Sequence, residues 1–302
     1  MAVSRRSVVT TLVIAVISFM TLAGLILAVV MSTRGGQAFA MGDRIAVMSI
    51  DGIIGDDEEF LRHLRRFRDN PSVRGYVINI NSPGGVVAPS QSIYQALRRI
   101  RAEDDVPVVA SIGGVGASGG YYVALAADSI FALPGSITGS IGVIMEIPDV
   151  SELMDRVGLQ MQTVMSAEHK DVGSPFRPLG PGDRAILDTL VLDVYGQFVE
   201  AVVEERGLDP ETVARVADGR ILSGRQALAE RLIDRLGNRE DALATAGQMA
   251  GLGPRPRTIR PPEPRFTFRD LLFGRGPAGV LARLFAPLEP APMPRVQYLV
   301  PW

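Results

Sequence analysis

The sequence predicts an α/β protein built on a largely parallel sheet, preceded by one long apolar N-terminal helix. Along residues 44–249, short apolar runs rich in Val and Ile alternate with amphipathic stretches of helical period, the pattern of repeated strand–helix units. Glycine-rich or polar turns separate most of these runs, as at 82–85 and 113–120. Residues 8–31 carry no charged side chain at all.

Taken in order, residues 44–50 read as a strand, 56–69 as a helix and 75–81 as a second strand. The segment 89–103 is a helix with Ile93, Ala96, Leu97 and Ile100 on one face. Residues 106–112 form the next strand, followed by a glycine-rich loop and helix-compatible sequence over 122–127. Short strands are expected at 129–132 and 142–147, flanking a Thr138-Gly139-Ser140 turn. The longest helix spans 183–206, with Leu187, Val191, Val194, Phe198 and Val202 spaced for one buried stripe. A closing segment, 219–237, leads into a last helix near 239–249.

Four regions follow: an apolar anchor at 1–31, a tether at 32–43, a globular body at 44–252, and a Pro-rich linker and tail at 253–302. In the tail, 278–285 can form a short amphipathic helix, and 296–302 is apolar enough to occupy a groove. As a helix, 8–31 would be about 36 Å long, enough for a bilayer core of about 30 Å. Arg5 and Arg6 precede it, so the positive-inside rule keeps the N-terminus cytoplasmic and sends the body outward. Ala38-Phe39-Ala40 resembles a signal-peptide cleavage site, but the apolar core is long for a signal peptide and ends well before it. An uncleaved, single-pass anchor in the cell membrane is expected, with lipid as its partner.

The 302 residues, 47% hydrophobic and 21% charged, suffice for one substantial core. A net charge of −2 gives no reason to expect nucleic acid. The absence of cysteine excludes disulfides and thiolate chemistry. The sequence calls for no cofactor or metal. Of the two histidines, His63 reads as a partly solvated helix residue, and His169 adjoins a loop lysine, Lys170.

The most informative stretch is Gly116-Ala117-Ser118-Gly119-Gly120-Tyr121-Tyr122. It places one serine among small residues where a strand turns sharply into a helix, whose free N–H groups can stabilise negative charge. Small neighbours let a reacting carbonyl approach the hydroxyl. Two further segments belong with it: Asn79-Ile80-Asn81-Ser82-Pro83-Gly84-Gly85 after another strand, and Lys170-Asp171-Val172-Gly173-Ser174-Pro175 in a loop.

With Ile137-Thr138-Gly139-Ser140-Ile141-Gly142-Val143, these motifs resemble the signal peptide peptidase A family, over about residues 44–246. The family consists of serine proteases of the Clp protease/crotonase fold. The resemblance implies stacked strand-strand-helix units, Ser118 as nucleophile and Lys170 as general base. It also implies Ser140 as a supporting hydroxyl and the N–H groups of Gly85 and Gly119 as the oxyanion hole. A lysine can serve as base only when largely uncharged, and apolar burial can lower its pKa by up to about 3–5 units. Peptides, signal peptides among them, are the expected substrates. The resemblance further implies a homo-oligomer in which serine and lysine meet across a subunit boundary. Three rivals are weighed: a stomatin-associated type of membrane Ser/Lys protease, a catalytically inactive scaffold, and a crotonase-type acyl-CoA enzyme. The last is disfavoured because neither serine motif contains a carboxylate.

Overall fold

The computed structural model describes residues 16–22, 24, 42–262 and the backbone of 297–299. Residues 16–22 and 24 are helical and exposed. No helix among the described residues is long and apolar enough to cross a membrane. The expected span at 8–31 lies mostly outside the described residues, as does the helix expected at 278–285.

Parallel pairing dominates the body. Strands β1 (Arg44–Asp51), β2 (Val73–Ser82) and β4 (Val108–Ala117) lie side by side in parallel. Helices α1 (Glu58–Arg68) and α2 (Val87–Glu103) make the crossovers, and β3 (Gly84–Val86) sits between β2 and α2. The two-residue alternation of β1 sorts its side chains between two cores. Ala46, Met48 and Ile50 join the larger core with α2 and with α5 (Pro181–Arg206), while Ile45 and Val47 face α8 (Arg239–Met249).

Strand β4 changes partners midway. Residues 109–112 pair with β5 (Ser129–Ala132), whereas 115–117 pair with β6 (Ile137–Gly139). The glycine-rich stretch read as a loop therefore continues the strand up to Ala117, and α3 (Gly119–Ala124) starts immediately after Ser118. Strand β7 (Ile221–Ser223) adds antiparallel to β6. Beyond it, α7 (Gly224–Ala229) and β8 (Arg235–Leu236) close the sheet on β5. The short helices α4 (Ser151–Arg156) and α6 (Pro210–Val216) flank α5 in the chain. Two short strands follow α8: β9 (Thr258–Ile259) extends the sheet beside β1, and β10 (Gln297–Leu299) pairs antiparallel with β3.

One expected strand is absent. Residues 142–147 form no strand, and Ile144 alone takes part in a bridge. Both edges of β6 are already taken, by β4 and β7, so the segment after it has no ladder to join. Thr138 and Gly139, expected in a turn, belong to β6 itself.

The larger core takes in one stripe of α5, with Val194, Phe198, Ala201 and Val202. Phe198 is fully buried and meets Tyr122 edge-on at 5.0 Å, and Tyr122 meets Tyr94 at 4.9 Å. Tyr121 is fully buried too, and its hydroxyl donates to the Leu232 carbonyl at 2.7 Å. Both tyrosines directly follow the serine turn, so the aromatic cluster fixes the helix that Ser118 introduces. Phe198→Ala is expected to destabilise the body by about 3–5 kcal/mol through loss of transfer energy and a residual cavity. Denaturant unfolding of the variant against wild type measures it.

Candidate active site

The site is assembled where parallel strands end. Ala117 pairs with Gly139, so the next residues, Ser118 and Ser140, leave adjacent strands side by side, about 4.8 Å apart in the sheet direction. Both adopt positive φ, 53° and 51°, a conformation costing on the order of 1–3 kcal/mol for a non-glycine residue. The surroundings impose it. Ser118 N–H donates to the Gly139 carbonyl at 2.8 Å, Tyr122 N–H returns to the Ser118 carbonyl at 2.8 Å, and Ser140 N–H donates to the Arg220 carbonyl at 2.8 Å. Thr138 Oγ1 ties the two strands together through the Gly116 carbonyl at 2.7 Å.

Ser118 is only 1% exposed, and its Oγ has no hydrogen-bond partner. A buried, unpaired hydroxyl on a strained turn is unfavourable unless a bound group completes it. Gly119 opens α3, so its N–H falls outside the helical ladder. Gly120 must be a glycine, because a Cβ there would lie 2.8 Å from the Ser82 carbonyl.

Gly85 is held in β3 by Ile54, which receives Val86 N–H at 2.8 Å and donates its own N–H to the Gly84 carbonyl at 2.9 Å. A Cβ at Gly85 would collide with the Ile54 backbone. Ser82 Oγ accepts Gly84 N–H at 3.1 Å and fixes the turn before it. Since Ile54 occupies one edge of β3, strand alternation directs the Gly85 N–H and C=O to the opposite edge.

Lys170 does not engage Ser118 within the chain. It is exposed, in a turn whose backbone closes from Lys170 N–H to Ala167 O at 3.2 Å. It makes no hydrogen bond to Ser118, whose hydroxyl is unpartnered. The motif is braced by a residue that the sequence reading missed. Arg177 forks onto Asp171 at 2.8 and 2.7 Å and also grips Asp183. These bonds hold both carboxyls below the usual carboxylate range. Asp171 is thereby committed to Arg177 rather than to the adjacent lysine. The only signal in the sequence was a lone arginine between two acids.

Among the described residues, the arm from 157 to 170 is exposed throughout. It carries Val157, Leu159, Met161 and Val164 into solvent, the last 99% exposed. Beside Ser140, Ile141, Val143, Val191 and Tyr195 help line an open apolar cavity of about 480 Å³. Across it, Asp218 is clamped by the Arg220 side chain, which holds its pKa down to about 2. A cavity of about 600 Å³ elsewhere includes His63 and Asn79 but none of the expected catalytic residues. His63 is a half-buried helix residue near Glu59, and His169 is exposed.

Comparison with known proteins now identifies the lineage. The model of peptidase family S49 matches residues 100–253, and that of Clp protease matches residues 58–141. The chain belongs to peptidase family S49. As an S49 member it is a serine protease, and its mixed α/β sheet fits the Clp protease-like fold. A Synechocystis sp. protein named as a protease is 40% identical over 70% of this chain and 76% of its own length. An Enterococcus faecium protein named for signal peptide peptidase activity is 33% identical over 68% of this chain and 63% of its own. Protease 4 of Salmonella typhi is 34% identical over 70% of this chain, though the match spans only 35% of that longer protein. A solved membrane-bound stomatin-specific protease covers 73% of this chain at 16% identity and a TM-score of 0.46, too distant to bear on specificity.

The paired acids give the Lys170 motif of this S49 protein a pH dependence. Carboxyls with depressed folded pKa values contribute stability above about pH 3.9, and lose it as pH falls through the folded values. Amide exchange over 168–183, corrected for intrinsic rates, should show protection at pH 6 that fades toward pH 3. Arg177→Gln should remove that protection at both pH values.

Proposed function

We propose that this S49 protein is a membrane-anchored endopeptidase that cleaves signal peptides left in the membrane, using Ser118 as nucleophile and Lys170 as general base. The observation that carries the reading is the buried, unpaired Ser118 hydroxyl on its strained turn. Ser118 Oγ attacks the scissile carbonyl, and Lys170 takes the serine proton and passes it to the leaving amine. Water then hydrolyses the ester, with Lys170 as base again. The N–H groups of Gly85 and Gly119 hold the oxyanion, and Ser140, next to Ser118, steers the lysine amine. The charge-free stretch at 8–31 supports the anchor, with the body on the outer side of the cell membrane.

Lys170 reaches Ser118 from a neighbouring copy. Three features support this: the unpartnered serine, the exposed lysine, and the apolar arm that a neighbour would cover. Such a boundary also withdraws the lysine from water, the condition under which an amine can act as base.

Ser118→Ala and Lys170→Ala should each abolish peptide hydrolysis, and Lys170→Arg should be equally inactive because a guanidinium stays protonated. Mixed oligomers of Ser118→Ala with Lys170→Ala should recover part of the activity. Co-assembled mixtures that stay dead would place the dyad within one chain, and near-wild-type turnover by Lys170→Ala would remove lysine from the mechanism.

Preference at the scissile position should favour small or aliphatic residues, given the apolar cavity beside Ser140. Mass spectrometry of the products from a defined signal peptide reads this directly. A strict requirement for a charged residue would contradict it.

A further inference from the structure

The cavity of about 600 Å³ that includes His63 and Asn79 runs along an open edge of the central sheet, where residues 47–51 line it. Strand β9 pairs with β1 only at Ile45 and Ala46, and Ile45 N–H donates to the Arg257 carbonyl at 2.8 Å. Strand alternation turns the N–H and C=O of Val47, Ser49 and Asp51 to that same side. Continued in register, β9 would place Pro261 where the next donor to the Val47 carbonyl belongs, and proline has no N–H to give. The ladder stops there. Among the described residues, no hydrogen bond reaches the Ser49 or Asp51 backbone on this side, and both residues are exposed. The open edge from 47 to 51 is about 13 Å long, room for about four extended residues.

Acceptors dominate the wall of this cavity. Asn79 stands opposite Ser49 in register, and its Oδ1 is buried with no hydrogen-bond partner. Asp51, Asp56 and Glu59 add three carboxylates. Two guanidiniums, of Arg239 and Arg260, oppose them, and the first is already paired with Glu240. Ile54, whose backbone clamps β3, belongs to the same wall, so the cavity abuts the strand that carries Gly85.

We propose that this edge is a second peptide site of the protease, an exosite that takes an extended segment by strand addition on β1 and prefers one bearing Lys or Arg. The main chain of the peptide completes the Ser49 and Asp51 backbone groups, and its cation brings the donors that Asp51 and Asn79 lack. A substrate held there meets the reacting centre at a raised effective concentration. The gain in hydrolysis rests on the reading of Ser118 as nucleophile, whereas the binding does not.

The binding test uses full-length Ser118→Ala, which cannot consume the probe, and a labelled, N-acetylated Val/Thr hexapeptide with one central arginine. Saturating peptide should slow amide exchange at Ser49 and Asp51, and a glutamate-centred counterpart should bind at least about tenfold more weakly. Ser49→Pro removes an N–H on the open side without touching the β1–β2 ladder, and should weaken the arginine peptide at least about tenfold. Asp51→Lys should invert the preference between the two peptides. In the protein with Ser118 intact, a substrate joining the arginine segment to a scissile peptide through a Gly/Ser spacer should show a several-fold lower KM than the scissile peptide alone. Ser49→Pro and Asp51→Lys should each raise the KM of the joined substrate and leave that of the short one unchanged.

Unchanged exchange at Ser49 and Asp51 under saturating peptide overturns the site. Protection that is equal for the arginine and glutamate peptides, or a preference that survives Asp51→Lys, overturns the basic ligand class. Equal KM for joined and short substrates overturns the role in substrate capture, as does a rise in both together in Asp51→Lys. If neither substrate is hydrolysed by any form, the assignment of Ser118 falls, and protection at Ser49 and Asp51 alone decides the exosite.

Discussion

The pairing of Ala117 with Gly139 is the constraint on which the site depends. It makes two neighbouring parallel strands end in step, so that two serines emerge together. The bond from Ser118 N–H to the Gly139 carbonyl then closes the pair. Neither positive-φ turn would persist on local preference, since each runs against the steric bias of a side chain with a Cβ. Burial of Tyr121 and Tyr122 behind one turn, and the Arg220 carbonyl behind the other, supply the compensation. The strain is thus a property of the surrounding packing rather than of the motif itself.

Around this buried centre the lysine segment is built differently. Its fold is local, resting on the Arg177 fork between Asp171 and Asp183. Among the described residues, its apolar side chains stand exposed, Val164 almost completely. The two halves of the expected dyad thus sit on parts of the molecule with opposite solvent exposure. Such a division suits a catalyst whose base is brought into an apolar setting by assembly.

Much of this was legible in the sequence, because the relevant signals are short-range. The helices at 58–68, 87–103 and 181–206 follow from their spacing and polar boundaries, and the first four strands of the main sheet from their apolar runs. The serine turn was visible because glycines surround it. Residues whose role depends on distant partners stayed hidden. Nothing near Ile54 signals that its backbone clamps Gly85, and nothing in a proline-rich stretch marks Thr258 and Ile259 as a strand beside β1. The strand expected at 142–147 failed for the complementary reason. Its composition suits a strand, but whether an edge is vacant is a property of the whole sheet.

The change of partner along β4 has a consequence for how the molecule loosens. Its first half lies inside the sheet between β2 and β5, whereas its second half carries β6 and β7, three residues each, toward one margin. Few ladder bonds hold that margin, so it can open as a subglobal unit while the central strands stay intact. Ser118 stands on the seam between the two tiers, and Ser140 belongs to the weaker one. Inactivation and unfolding are then separable events. On warming, the geometry between the two hydroxyls should decay in a first, reversible fluctuation, well before the backbone signal of the central sheet declines.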